Sequence, residues 1–91
     1  MKKIESKVKV KNGLGLHARP ATVIAKLLQG CKSQVKMTYK EQTIDARSII
    51  SILMLAVKKN MQVTLTAEGE DAEEIMSKLV EAFENQFGEN S

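Results

Sequence analysis

Seven residues, Gly15-Leu16-His17-Ala18-Arg19-Pro20-Ala21, place the only histidine of the chain two residues before an arginine and three before its only proline. Helical periodicity begins just after them, so His17 reads as the first position of a helix. A helix start offers unpaired backbone N–H groups and the positive end of the macrodipole, and both favour an anionic group held there. Arg19 adds a permanent cation whose planar fork fits phosphate oxygens. These two positive features favour the free base of the imidazole, with a lone pair able to attack phosphorus. The motif therefore predicts a phosphoryl-accepting His17 with a berth for its product. A plainer role fits the same position: a polar cap at His17 and a solvated charge at Arg19. Metal chemistry does not fit, because one histidine and one cysteine without clustered ligands cannot build a zinc site, and no cofactor is expected.

The elements that must position these residues follow from periodicity. Ile4, Val8 and Val10 alternate with Lys7, Lys9 and Lys11 in a half-buried strand, and Asn12-Gly13 breaks it. Gly13 and Gly15 let the connection bend tightly up to His17. From Ala18 the apolar residues Val23, Ile24, Leu27 and Leu28 recur at helical spacing until Gly30, a left-handed stop, and Pro20 fits the first turn. Val35, Met37 and Tyr39 form a strand that turns near Lys40-Glu41 and pairs back through Thr43 and Ile44. Val63, Leu65 and Ala67 alternate in the same way. A last helix from about Asp71 carries Ala72, Ile75, Met76, Leu79, Val80, Phe83 and Phe87 on one stripe.

Strands with one polar face imply a sheet solvated on one side, which favours antiparallel pairing. The expected fold class is α+β: an open-faced two-layer sandwich, β-α-β-β-α-β-α, with a four-stranded antiparallel sheet and three helices on one face. Residues 1–88 read as one domain and 89–91 as a loose tail. A chain of 91 residues has room for a single core and none for a separate catalytic domain. With Lys and Arg spread among the acids and a net charge of +3, partners with an acidic docking face fit. The longest apolar run, Ile49 to Val57, is far below the roughly 20 residues that span a bilayer, so no membrane insertion is expected. The absence of a leader and the single Cys31 fit a cytoplasmic protein, with Cys31 an ordinary packing residue.

Ile49 to Leu55 reads as a short helix opened by Ser48, with apolar side chains around nearly its whole circumference. A two-layer domain cannot bury every side of it, so the surplus forms an exposed docking patch, with Ile50 and Leu53 as its outward stripe. The competing readings are a fully buried core helix or a strand, since short apolar runs fit either. Ser48 is a natural helix cap, and a phosphate on it would place about two negative charges on that face.

Taken together, these residues resemble HPr, the histidine-containing phosphocarrier family of the bacterial phosphoenolpyruvate-dependent sugar phosphotransferase system. The likeness covers nearly the whole chain; it is anchored by the motif around His17, then by Ser48, and more weakly by Ala67-Glu68-Gly69-Glu70-Asp71. The resemblance implies that His17 is the phosphoryl acceptor, as a pros-phosphohistidine on Nδ1, and that Arg19 holds the phosphate with the backbone N–H groups of Ala18 and Arg19. It implies phosphorylated enzyme I as donor and IIA-type domains of sugar permeases as acceptors. It further implies a docking surface including Lys26, Ile49, Ile50 and Leu53, and a regulatory Ser48 served by an HPr serine kinase/phosphorylase. The chain would then be a monomeric, stoichiometric carrier. No GxxxxGK[ST] loop suggests an autonomous kinase. Two departures stand out: Ala56 and Asn60 occupy frequent glycine positions, and Asn tolerates a left-handed backbone.

A nitrogen-type or purely regulatory branch of the family would share the His17 site. A small RNA-binding module is the remote alternative. Phe83 and Phe87 are spent on the core stripe, which leaves Tyr39 alone for base stacking, and no GxxG clamp is present, so no nucleic-acid partner is expected.

Overall fold

A computed structural model describes residues 2–89. The alternating segments form β1 (Lys3–Lys9), β2 (Gln34–Tyr39), β3 (Gln42–Asp45) and β4 (Gln62–Glu68), in sheet order β1-β4-β2-β3 with every pair antiparallel. Helices α1 (Ala18–Leu28), α2 (Ile49–Leu55) and α3 (Ala72–Glu84) cover one face, giving the expected β-α-β-β-α-β-α sandwich.

Register explains why one face is dry. Val8 stands opposite Val63, and Leu65 lies between Ser6 and Met37, so β1, β4 and β2 turn apolar residues toward the helices. One residue along, Lys7, Thr64, Thr38 and Thr43 line up on the water side, where the Thr38 and Thr43 hydroxyls lie 2.8 Å apart. Ile24 and Leu28 of α1 and Leu79 and Phe83 of α3 meet the inner face fully buried. Among the described residues no helix is long and apolar enough to cross a membrane.

Two details anchor α3. The Asp71 carboxylate accepts the Lys32 backbone N–H at 2.8 Å and the Ser33 hydroxyl, tying the helix start to the connection before β2. Those bonds, the Lys32 amide foremost, hold the Asp71 carboxyl below the usual aspartate range.

The C-terminal end departs from expectation. Phe87 does not extend the α3 stripe, because α3 stops at Glu84; a 3₁₀ turn over Gln86–Gly88 brings Phe87 back into the core. There it meets Phe83 edge-on, ring centroids 4.8 Å apart. Nor is Glu89 part of a loose tail: its side chain docks on the loop that carries His17. The rest of the expected tail, residues 90–91, lies outside the described residues.

Candidate functional site

The loop between β1 and α1 is held in place by backbone geometry that glycine alone satisfies. Gly15 has φ +68°, and a Cβ there would stand 2.3 Å from the Val57 carbonyl oxygen. Leu16 donates its N–H to that same oxygen at 3.0 Å, and the Gly15 N–H bonds the Asn12 carbonyl at 3.0 Å. Asn12 is fully buried, and its Nδ2 donates to the Gly15 carbonyl at 2.6 Å. A closed loop thus leads to the histidine at a fixed angle.

His17 is the N-cap of α1, one residue before the first helical position, in an extended conformation (φ −86°, ψ −164°). The ring makes no capping bond to its own helix, so the plain polar-cap reading does not hold. Pro20 carries no N–H and the Ala21 N–H is spent on the His17 carbonyl at 3.1 Å. The backbone N–H groups of Ala18 and Arg19 therefore remain as the first-turn donors without a helical carbonyl to bond. The His17 side chain is 32% exposed, and Arg19 is exposed two residues on, without an ion-pair partner among the described residues.

One charge at the site was not legible in the sequence. Glu89 sets its carboxylate against the other side of the ring, Oε2 at 2.8 Å and Oε1 at 3.1 Å from His17 Nε2. Oε1 also accepts from Asn12 Nδ2 at 2.9 Å. The expectation of purely positive surroundings is corrected accordingly: the helix start is positive, and the Nε2 edge faces a carboxylate. Asn12 read only as a strand breaker and Glu89 only as tail. The one available signal was Phe87, an aromatic residue near the end of the chain with an apolar stripe to rejoin.

On α2, Ser48 caps the helix, its Oγ accepting the Ser51 N–H at 3.2 Å. Ile52 and Leu55 are buried, whereas Ile49, Ile50 and Leu53 face water, so the fully buried reading of this helix fails. The exposed patch is larger than the expected stripe of Ile50 and Leu53: Ile50 at 70% is joined by Met54 at 78% and Leu14 at 75%, both outside that stripe. A shallow hollow of about 330 Å³, lined by His17 with Leu14, Leu16, Leu53, Ala56, Val57 and Lys58, makes the histidine and the apolar patch neighbours. Lys26, exposed on α1, lines a second hollow with Arg47 and Ile49. Ala56 and Asn60 both adopt left-handed backbone, φ 54° and 74°, where glycine would be unstrained. Cys31 is half-buried, with Arg47 Nη2 3.1 Å from its sulfur.

Known proteins resemble this chain in sequence and fold. The family described as "PTS HPr component phosphorylation site" matches residues 4–85. The Phosphocarrier protein HPr of Chlamydia trachomatis serovar D is 41% identical over 80 residues, which cover 88% of this chain and 73% of that protein. The Phosphocarrier protein NPr of Escherichia coli K12 is 34% identical over 88 residues, 96% of this chain and 98% of that one. The crystal structure of an HPr from Thermoanaerobacter tengcongensis superposes with a TM-score of 0.90 at 36% identity, covering 100% of both chains.

Proposed function

The chain belongs to the HPr family of phosphotransferase-system phosphocarriers, and from that premise we propose that His17 is its phosphoryl acceptor. The observation that carries this assignment is the placement of the ring: partly exposed, released from capping, and directly before the two first-turn N–H groups and Arg19. Phosphorylated enzyme I is the donor. The Nδ1 lone pair attacks phosphorus in line, and an IIA-type domain of a sugar permease later repeats the displacement from the opposite side. Such transfer depends on positioning and charge compensation. The first-turn N–H groups and Arg19 supply that compensation, loosely enough that the group can leave again.

Lys26, Ile49, Ile50 and Leu53 serve as the docking surface, extended by Met54 and Leu14. Its apolar centre adjoins His17, so a partner seated on α2 brings its own reacting group to the ring. Phosphorylation of Ser48 by a serine kinase would set a dianion on the edge of this surface and weaken docking of an acidic partner.

The test is phosphoryl labelling from phosphoenolpyruvate with catalytic enzyme I. His17→Ala abolishes labelling, and Arg19→Ala leaves the fold intact and slows transfer. Retained labelling of the position 17 variant would refute the assignment. Efficient charging by a nitrogen-specific donor and not by enzyme I would move the protein to the other branch.

A further inference from the structure

The carboxylate at the Nε2 edge of His17 is delivered by a costly path. After α3, Gln86, Phe87 and Gly88 take three consecutive positive φ angles, 55°, 56° and 81°, and two of these residues carry side chains. Left-handed backbone at non-glycine residues persists only where other contacts enforce it. Here Phe87 is buried against Phe83, and the turn sends the chain back toward the β1–α1 loop.

Glu89 arrives there with only 11% of its side chain exposed. Its partners among the described residues are His17 Nε2, at 2.8 and 3.1 Å, and Asn12 Nδ2, at 2.9 Å. A carboxylate so far removed from water needs donors on its oxygens. The Asn12 amide supplies one. The imidazole supplies another only when Nε2 carries the hydrogen, and in the neutral ring that leaves the lone pair on Nδ1. Asn12 is itself fixed, since the same Nδ2 bonds the Gly15 carbonyl at 2.6 Å within the closed loop.

We propose that Glu89 is a positioning residue for phosphoryl transfer, holding the Nε2 proton of His17 so that Nδ1 presents its lone pair, and that Asn12 holds Glu89 in place. The inference deepens the assignment of His17 and rests on it. In the step itself the Nδ1 lone pair forms the new bond to phosphorus. The donor's nitrogen–phosphorus bond breaks, and its electron pair returns to the donor nitrogen. The Nε2 hydrogen stays on the ring, which gains a positive charge as the bond forms, and that charge develops directly beside the Glu89 carboxylate. On transfer to the acceptor the bonding pair returns to Nδ1 and the ring is neutral again. A carboxylate fixed beforehand stabilises the charge without reorganising at the moment of reaction.

The test uses the full-length protein and its Glu89→Gln and Glu89→Ala variants, with thermal unfolding as a check on folding. Long-range proton–nitrogen NMR of the unphosphorylated, nitrogen-15-labelled protein reads which ring nitrogen carries hydrogen. Wild type shows hydrogen on Nε2; Glu89→Gln, whose amide oxygen accepts the same bond, retains that pattern, and Glu89→Ala shifts toward a mixture of both forms. In steady-state transfer from phosphorylated enzyme I, Glu89→Ala lowers kcat about tenfold or more, the size carried by a lost hydrogen bond to a charged group. Its KM stays close to wild type, and Glu89→Gln falls between the two in kcat. A kcat for Glu89→Ala equal to wild type overturns the proposal, as does an increase, which would make Glu89 a screen over the ring. A change in KM alone also overturns it, by making Glu89 a docking residue. Labelling of the His17→Ala protein would fail the parent assignment instead, while the NMR experiment would still report whether Glu89 orients the ring.

Discussion

The loop that carries His17 and the helix that carries Ile50 lie against one hollow, yet they are built by opposite means. The loop is locked by buried polar contacts: the Asn12 amide, the Gly15 backbone, the Val57 carbonyl, and Glu89 from the far end of the chain. Helix α2 needs a Ser48 cap and two inward residues, Ile52 and Leu55, and leaves the rest of its surface apolar and open. The difference fits the two tasks proposed for them. Chemistry requires one nitrogen at one angle, which demands contacts that over-determine it, whereas docking requires a surface that a partner can desolvate.

Substitutions can break this contrast in graded steps. The largest effect is expected at Gly15: Gly15→Ala forces a side chain onto a left-handed φ and into the Val57 carbonyl, so stability falls by about 2 kcal/mol or more in urea unfolding. Phosphoryl acceptance falls with it, because the ring loses its approach angle; an unchanged protein would show that the loop is not the rigid element described. On α2, Ile50→Asp should leave stability within about 0.5 kcal/mol, since the side chain is mostly in water. Its effect belongs in the KM for phosphorylated enzyme I, and a kcat effect at constant KM would blur the division between docking and chemistry. A gain rather than a loss is expected at Ala56, whose left-handed φ of 54° ends α2. Ala56→Gly should stabilise the fold by about 1 kcal/mol in the same assay by removing that strain.

The same contrast explains what the sequence made legible. Strand and helix periods are repeated many times, so Val8, Val63 and Leu65 reveal a sheet face and Ile24 and Leu79 a helix face without ambiguity. The exposed stripe of α2 was legible as a surplus of apolar residues, although Met54 and Leu14 escaped because nothing local distinguishes them from core residues. Motif chemistry singled out His17 and Arg19, which the fold sets together at the start of α1, and the turn at Lys40-Glu41 followed from the strand pattern; the left-handed φ of Asn60 fits that residue's tolerance of such backbone, whereas nothing in the residue type marked Ala56. Asn12 and Glu89 were not legible. Each makes its contact at the site across more than 70 residues of chain, and no period in the sequence encodes such a pairing. The early end of α3 was hidden for a related reason: Phe87 continues the stripe in sequence and reaches the core through a turn.

If Nδ1 of His17 takes the phosphoryl group, phosphorus must sit on that nitrogen in the charged protein and nowhere else on the ring. Nitrogen-15 histidine-labelled protein, charged by phosphoenolpyruvate and catalytic enzyme I, would be read by phosphorus NMR and long-range proton–nitrogen correlation. A single phosphorylated species with phosphorus on Nδ1 and hydrogen on Nε2 is predicted. Phosphorus on Nε2, or label incorporated while the His17 signals stay unchanged, would contradict it.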